Sequence, residues 1–395
     1  VKLGFVVQRY GLDIAGGAEL HCRLVAEHLA AHHDIEVFTT CAKDYVTWSN
    51  AYPRGTSRLN HVTIHRFPVR RTRNIRRFED IQNLVFHSRQ SETLEHRWLQ
   101  ENGPYCPKLV NAVVRRRDID AWILFSYRYW TTAESLRLLG RKALLVPTAE
   151  HDPALYLGAV RKLFHMPAAI VYNSPEERAL IQSISGNETV PGDTVGVGLI
   201  EHTPHPDRMA AAVERFRLMD PYILFIGRID KNKGCDHLFR MFQRYCREAG
   251  DTLTLALIGK SVMPIPDHPG IRHLGFLSED DKAAALSQCR LLIMPSQYES
   301  LSMVLLEAWK FGRPALVNGR CEVLEGQCRR SNGGLAYRNY EEFEAALTLL
   351  ATHPELGKRL GSNGRKYYLE TYNWQVIEAK YNALLNTVTT GRKET

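Results

Sequence analysis

Tyr222-Ile-Leu-Phe-Ile226-Gly227-Arg228-Ile229-Asp230-Lys231-Asn232-Lys233-Gly234 is the passage from which the fold can be read. Five apolar residues, the length of a buried strand, run into a glycine. A charged turn follows, and a helical pattern then extends from Asp236 to Ala249. The same phrase recurs downstream. Leu253 to Ile258 is a strand candidate ending at Gly259, Ile271 to Leu274 leads to Gly275, Leu291 to Met294 is stopped by Pro295, and Ala315 to Val317 follows. Ser278-Glu-Asp-Asp opens one intervening helix with a cap and with acids that suit the positive end of the helix dipole. A second helix runs from about Ser302 to Phe311 and is closed by Gly312. From Glu341 onward the chain reads as helices. Strands alternating with helices imply βαβ units and a mostly parallel sheet.

Moving toward the amino terminus, the pattern repeats less cleanly. Leu3 to Val7 is apolar, and Gly16-Gly17 opens a helical segment reaching Leu29. Ile35 to Thr39, Val62 to Phe67, Ala121 to Phe125, Ala143 to Val146 and Ala169 to Tyr172 are further strand candidates. Pro204, Pro206 and Pro221 fall in a stretch without a strong strand, so the boundary is expected near residues 200–220. The expectation is therefore α/β, with a Rossmann-like domain over 1–200, a second over 201–375, and a terminal helix over 376–395 packing back toward the first. A length of 395 residues suits two domains. Ligands of doubly wound sheets bind beyond the carboxyl ends of the strands, and two such domains facing one another would hold a ligand in a central cleft.

Composition narrows the class. A hydrophobic share of 44% and a charged share of 24% mark an ordinary globular chain, and no apolar run approaches the roughly 20 residues of a membrane span. The eight cysteines form no CxxC pair, and we read them as buried, reduced thiols of a cytoplasmic protein. The net charge of +8 admits nucleic acid, a membrane surface or an anionic small substrate. Arg70, Arg71, Arg73, Arg76 and Arg77 concentrate that charge. They read either as a solvated loop or as a contact for anionic lipid or an anionic acceptor. Aromatics do not alternate with them, which argues against nucleic acid.

The residues suited to chemistry follow strands. Glu299-Ser-Leu-Ser302-Met303-Val304-Leu-Leu-Glu307 places two carboxylates on either side of a helix start, whose free N–H groups can bind an anion. Eight residues are two turns plus about 80°, so Glu307 is expected to face broadly toward the Glu299 loop. Arg228 and Lys233 flank a strand-to-helix turn and can bind phosphate. Gly227 and Gly259 end strands and suit close approach by a ligand. Gly16 and Gly17 lie between a strand and a helix, without the spacing of a dinucleotide fingerprint. His151 and Asp152 follow the strand ending at Val146. Asp118-Ile-Asp120 has the form of a metal-binding pair but directly precedes a strand, away from the expected ligand side, so no metal is assigned to it.

Taken together, Gly16-Gly17-Ala-Glu19, Glu150-His151-Asp152, Asn173-Ser174, Gly227-Arg228 with Lys233-Gly234, Gly259 and the E-x7-E from Glu299 to Glu307 resemble the family 4 retaining glycosyltransferases of the GT-B fold. The motifs occur in the family's order and cover most of the chain. Tyr298 to Trp309 looks like the bacterial members that act in surface-polysaccharide assembly. The resemblance implies that Arg228 and Lys233 hold the donor diphosphate as it leaves, with N–H groups near Ser302, Met303 and Val304 assisting. It implies Glu307 on the ribose hydroxyls and Glu299 on the donor sugar. His151 would sit by the reacting centre, with Asp152, Gly16, Gly17, Gly227 and Gly259 lining the donor. No metal or cofactor is implied. The donor would be a nucleoside-diphosphate sugar, and the acceptor a glycan, a lipid-linked or a small molecule. Two departures stand out: Leu301-Ser302 replaces the family's frequent Phe-Gly, and the stretch after Asn318 lacks its usual glycine-rich form. A nucleotide-sugar epimerase, an NAD-dependent oxidoreductase and a catalytically inactive binding relative are the competing readings.

Overall fold

The computed structural model of the chain describes residues 1–14, 16–87, 91–201, 203–218, 221–250 and 253–390. The chain divides into two compact units. One is Val1–Gly198 together with the terminal segment from Trp374, and the other is Leu199–Asn373.

The first unit is built on eight strands: β1 (Lys2–Val6), β2 (Asp34–Thr40), β3 (Gly55–Leu59), β4 (Val62–Phe67), β5 (Ala121–Phe125), β6 (Ala143–Val146), β7 (Ala169–Tyr172) and β8 (Gly192–Thr194). Their order is β3-β4-β2-β1-β5-β6-β7-β8, parallel except for β3, which runs antiparallel to β4. The central strands are continuous apolar runs because helices cover both faces; every residue of β5, β6 and β7 is buried. β3 was not foreseen. Its Gly-Thr-Ser-Arg-Leu sequence is exposed at the sheet edge and carries no apolar alternation. The chain leaves β1 for β2 on one side and returns to β5 on the other, so the topological switch lies between β1 and β5.

The second unit holds six parallel strands: β9 (Tyr222–Ile226), β10 (Thr254–Ile258), β11 (Ile271–Gly275), β12 (Leu291–Met294), β13 (Ala315–Asn318) and β14 (Gly334–Tyr337). Their order is β11-β10-β9-β12-β13-β14, with the switch between β9 and β12. The register runs Ile223↔Leu291 and Leu224↔Leu292. A switch point opens a crevice beyond the carboxyl ends of its two strands. The residues that follow β9 and β12 are therefore the ones the fold presents to a ligand.

The proline-rich stretch differs from expectation. The break falls at Gly198, and Pro206 starts a helix, Pro206–Arg215, in its first turn, where a missing N–H costs nothing. The final helix, Trp374–Thr390, belongs to the first unit. Trp374 stacks on His28 at 4.2 Å between ring centroids, and Lys380 Nζ donates to Thr194 O at 2.5 Å. The last residues of the helix expected over 376–395, 391–395, lie outside the described residues. All eight cysteines are buried free thiols. Among the described residues no helix is long and apolar enough to cross a membrane.

Candidate active site

The turn after β9 is held by backbone contacts to its neighbours. Gly227 N donates to Ile258 O at 2.9 Å, and Gly259 N to Gly275 O at 2.8 Å. Gly259 has φ +131°, and a Cβ there would fall 2.0 Å from Gly227 O. Gly234, at φ +73°, lies similarly close to Pro295 O, where β12 ends. Only glycine combines these conformations with such close approach.

Asp230 organises the turn. It is almost fully buried; its Oδ1 accepts from Lys233 N at 2.8 Å and its Oδ2 from Arg228 Nε. Lys233 Nζ then reaches Glu299 Oε1 at 2.6 Å. The loops after β9 and β12 thus meet through a Lys233–Glu299 ion pair at the switch point. The sequence identified both residues but not their contact. It did not single out Asp230, for which the only signal was an acid between bases in Arg228-Ile-Asp-Lys.

Ser302 is the N-cap of the helix Met303–Lys310, its Oγ accepting from Leu305 N at 3.3 Å. This is a structural use of the Ser302 hydroxyl. The N–H groups of Met303 and Val304 have no hydrogen-bond partner among the described residues and mark the positive end of the helix. Glu307, two turns beyond the Glu299 loop, meets a different cation from Glu299. Its Oε1 accepts from Lys282 Nζ at 2.8 Å. Burial pushes the Glu307 carboxyl above its ordinary value, and the Lys282 ammonium opposes that rise.

In the first unit, the glycine turn wraps a sealed ion pair. Arg9 donates through Nε and Nη2 to Glu19 Oε1 at 2.8 and 2.5 Å, with each side chain only 6% exposed. Gly16, in extended backbone, packs on this pair; a Cβ there would lie 2.2 Å from Glu19 Oε2. A Cβ at Gly17 would meet nothing within 4 Å, so this glycine stands open.

His151 is exposed, its Nε2 3.1 Å from Tyr156 OH. Asp152 is engaged within its own unit: Oδ2 accepts from Tyr127 OH and Arg128 Nη1, both at 2.9 Å, and Oδ1 caps the following turn by accepting from Ala154 N at 2.6 Å. Its evident work is therefore to shape the segment between His151 and Tyr156. A residue the sequence did not flag, Glu177, ties this region to β7. Its Oε1 accepts from Ala149 N and its Oε2 from Asn173 N, both at 2.5 Å. Burial pushes the Glu177 carboxyl up to about 8, against the pull of the two backbone donors. Its only signal was its place three residues after the helix-capping Ser174.

Asp118 bonds Lys2 Nζ at 2.8 Å and Arg116 Nη2 at 2.6 Å, while Asp120 Oδ2 accepts from Lys2 N at 2.8 Å. Both acids are committed to the amino end of the sheet. Among the described residues no three His, Cys, Asp or Glu side chains are grouped to hold a metal. The arginine run is also partly committed. Arg71 and Arg77 pair with Glu101 at 2.7 and 2.9 Å, and Arg73 donates to Asn102 Oδ1 at 2.9 Å and lies over Trp48 and Phe78. Arg70 and Arg76 are exposed, with no side-chain partner among the described residues. The charge offered outward is smaller than the sequence implied.

Comparison with known proteins gives this geometry a context. Residues 207–367 match the family described as glycosyl transferases group 1. An uncharacterized glycosyltransferase of Methanocaldococcus jannaschii is 20% identical over 95% of this chain and 96% of its own. Among solved structures, sucrose-phosphate synthase from Thermosynechococcus elongatus superimposes with a TM-score of 0.74 at 16% identity, over 99% of both chains. HepE from Anabaena, solved in complex with UDP-glucose, gives a TM-score of 0.70 at 13% identity, over 98% of this chain and 99% of its own. The fold is GT-B.

Proposed function

We propose that this chain, whose residues 207–367 match the glycosyl transferases group 1 family, moves a sugar from a nucleoside-diphosphate sugar to an acceptor hydroxyl with retention of anomeric configuration. The observation that carries the reading is the Lys233–Glu299 pair at the β9/β12 switch point, beside the unpartnered N–H groups of Met303 and Val304. HepE, a structural neighbour, was solved with UDP-glucose, which supports a nucleotide-sugar donor.

The diphosphate would sit at the helix start, taking N–H bonds from Met303 and Val304 and charge from Arg228 and Lys233. Lys233 is 31% exposed and can turn from Glu299 toward phosphate, which frees the Glu299 carboxylate to accept from sugar hydroxyls. Gly227 and Gly259 keep this floor free of side chains. As the anomeric carbon–oxygen bond breaks, negative charge grows on the β-phosphate, where the two bases and the helix end stabilise it without a metal. The acceptor oxygen bonds the anomeric carbon on the face the phosphate leaves. Its proton passes to a phosphate oxygen, so no separate base is required. For His151, Asp152, Gly16 and Gly17 the support is the family resemblance, with Asp152 acting by holding the His151 segment. We assign the activity to cytoplasmic glycan or polysaccharide assembly in a bacterium on the resemblance of Tyr298–Trp309.

The test is a panel of UDP-, GDP-, ADP- and dTDP-sugars, with EDTA present, followed by thermal shift and donor hydrolysis. Stabilisation by one donor, unaffected by EDTA, is the expected result. Stabilisation by NAD alone would overturn the proposal, and sugar isomerisation without an acceptor would replace it with an epimerase. The anomeric configuration of any transferred sugar, read by NMR, tests retention.

A further inference from the structure

Glu307 shares a narrow crevice with a residue that no motif contains. Lys282 lies on the helix Glu279–Gln288, and its Nζ sits 2.8 Å from Glu307 Oε1 and 3.0 Å from Glu279 Oε2. Leu199, Leu286 and Phe311 wall the crevice with apolar surface. Lys310 points its Nζ to Ile200 O at 3.2 Å, so its ammonium bears on Glu307 only at a distance. The remaining groups facing this carboxylate are Glu279, which raises its proton affinity, and Tyr368 of the helix Pro354–Thr371, beside Glu201. Among the described residues Glu307 Oε2 has no hydrogen-bond partner, yet it is not sealed from the surface. One carboxylate oxygen is therefore fixed and the other is left open.

We propose that Lys282 is a positioning residue for nucleoside recognition: by anchoring Oε1 of Glu307 it keeps that carboxylate anionic and turned so that Oε2 accepts from the ribose hydroxyls of the donor. The proposal rests on the donor reading above. A carboxylate held by an ammonium can rotate only by breaking a charge-assisted bond, and in a crevice walled by apolar side chains such a bond is strong. Without the Lys282 ammonium, burial and the Glu279 carboxylate both push the Glu307 carboxyl up, opposed only by the more distant Lys310. The carboxyl then takes up a proton at higher pH and loses acceptor capacity where a hydroxyl needs it.

The experiment measures dissociation constants of UDP, GDP and ADP and their 2′-deoxy counterparts, from about pH 6 to about pH 9, for wild type, Lys282→Met, Lys282→Arg and Glu307→Gln. For the nucleotide that binds tightest, Lys282→Met is expected to weaken binding about tenfold at the acid end and to recover toward the alkaline end. It should also lose preference for ribose over deoxyribose. Lys282→Arg should retain both the affinity and the preference, an outcome that a merely structural lysine does not require. If Lys282→Met does not fold, Lys282→Gln takes its place. A Lys282 variant that matches wild type in pH profile and ribose preference, while Glu307→Gln weakens binding, overturns the proposal and leaves the donor reading standing. Unchanged nucleotide binding by Glu307→Gln overturns the donor reading itself.

Discussion

Arg9–Glu19 in the first unit and Lys233–Glu299 in the second are the same kind of contact in two settings. Each cation lies in the loop after the central strand of its sheet, and each carboxylate lies at or before a helix start. The first pair is sealed, with both partners in one glycine turn and Gly16 packed against them. The second bridges two strand-end loops, its lysine is a third exposed, and unpartnered helix N–H groups stand beside it. A sealed pair cannot exchange partners without leaving a naked charge, whereas a half-open pair can give its lysine to an incoming phosphate. On the proposed function, the first ion pair is scaffolding and the second is machinery, and the exposure of the cation is what separates them.

The sharpest way to break this contrast is to remove one partner from the sealed pair. Arg9→Leu strands Glu19 and should cost about 3–5 kcal/mol in denaturant unfolding. Nucleotide affinity of the folded fraction should stay within about twofold, because the nucleotide is assigned to the second unit. A cost under about 1 kcal/mol would show that the pair is not structurally committed. Next in size, Lys233→Ala or Arg228→Ala should lower the rate of transfer by about 10²–10³ while the variants remain folded. Loss of fold instead of loss of rate would assign these bases to scaffolding as well.

A third prediction extends the contrast to single carboxylates. Glu307 is half-buried beside a lysine, but Glu177 is buried with backbone N–H groups as its partners. The folded state holds the Glu177 proton up to about 8, above the ordinary carboxylate range of the unfolded chain. Its contribution to stability is therefore full below that ordinary range and is lost as pH rises through about 8. Wild type should lose at least about 1 kcal/mol relative to Glu177→Gln between about pH 5 and about pH 9, by urea unfolding at each pH. A pH-independent difference would contradict this. The smallest effect belongs to Gly17→Ala, where open space should keep stability within about 0.5 kcal/mol of wild type. Any fall in transfer would then report a ligand approaching that turn.

Much of the second unit could be read from its residues, because β9, β10, β12 and β13 are apolar runs closed by glycine, proline or asparagine. The edges β3 and β8 could not, because they lack a buried apolar face to leave a pattern, and β14 offers only Leu335 and Tyr337. The site divides in the same way. Lys233, Glu299 and Glu307 were legible as candidates because they follow strands or flank a helix start. Asp230, Lys282 and Glu177 were missed because their importance lies in what they touch across the fold, and a lone acid or lysine on a helix looks like any solvated charge. For the arginine run the sequence could not show that Glu101, distant in sequence, pairs with Arg71 and Arg77.

The central claim is that the Lys233–Glu299 pair opens to receive a donor diphosphate. Titration calorimetry of the tightest nucleotide of the panel into wild type and Lys233→Met, with EDTA present and at two salt concentrations, tests it most directly. Wild type should bind with an affinity that weakens with salt, and the folded variant should bind at least about tenfold more weakly with a shallower salt dependence. Equal affinity and equal salt dependence in the two proteins would contradict it.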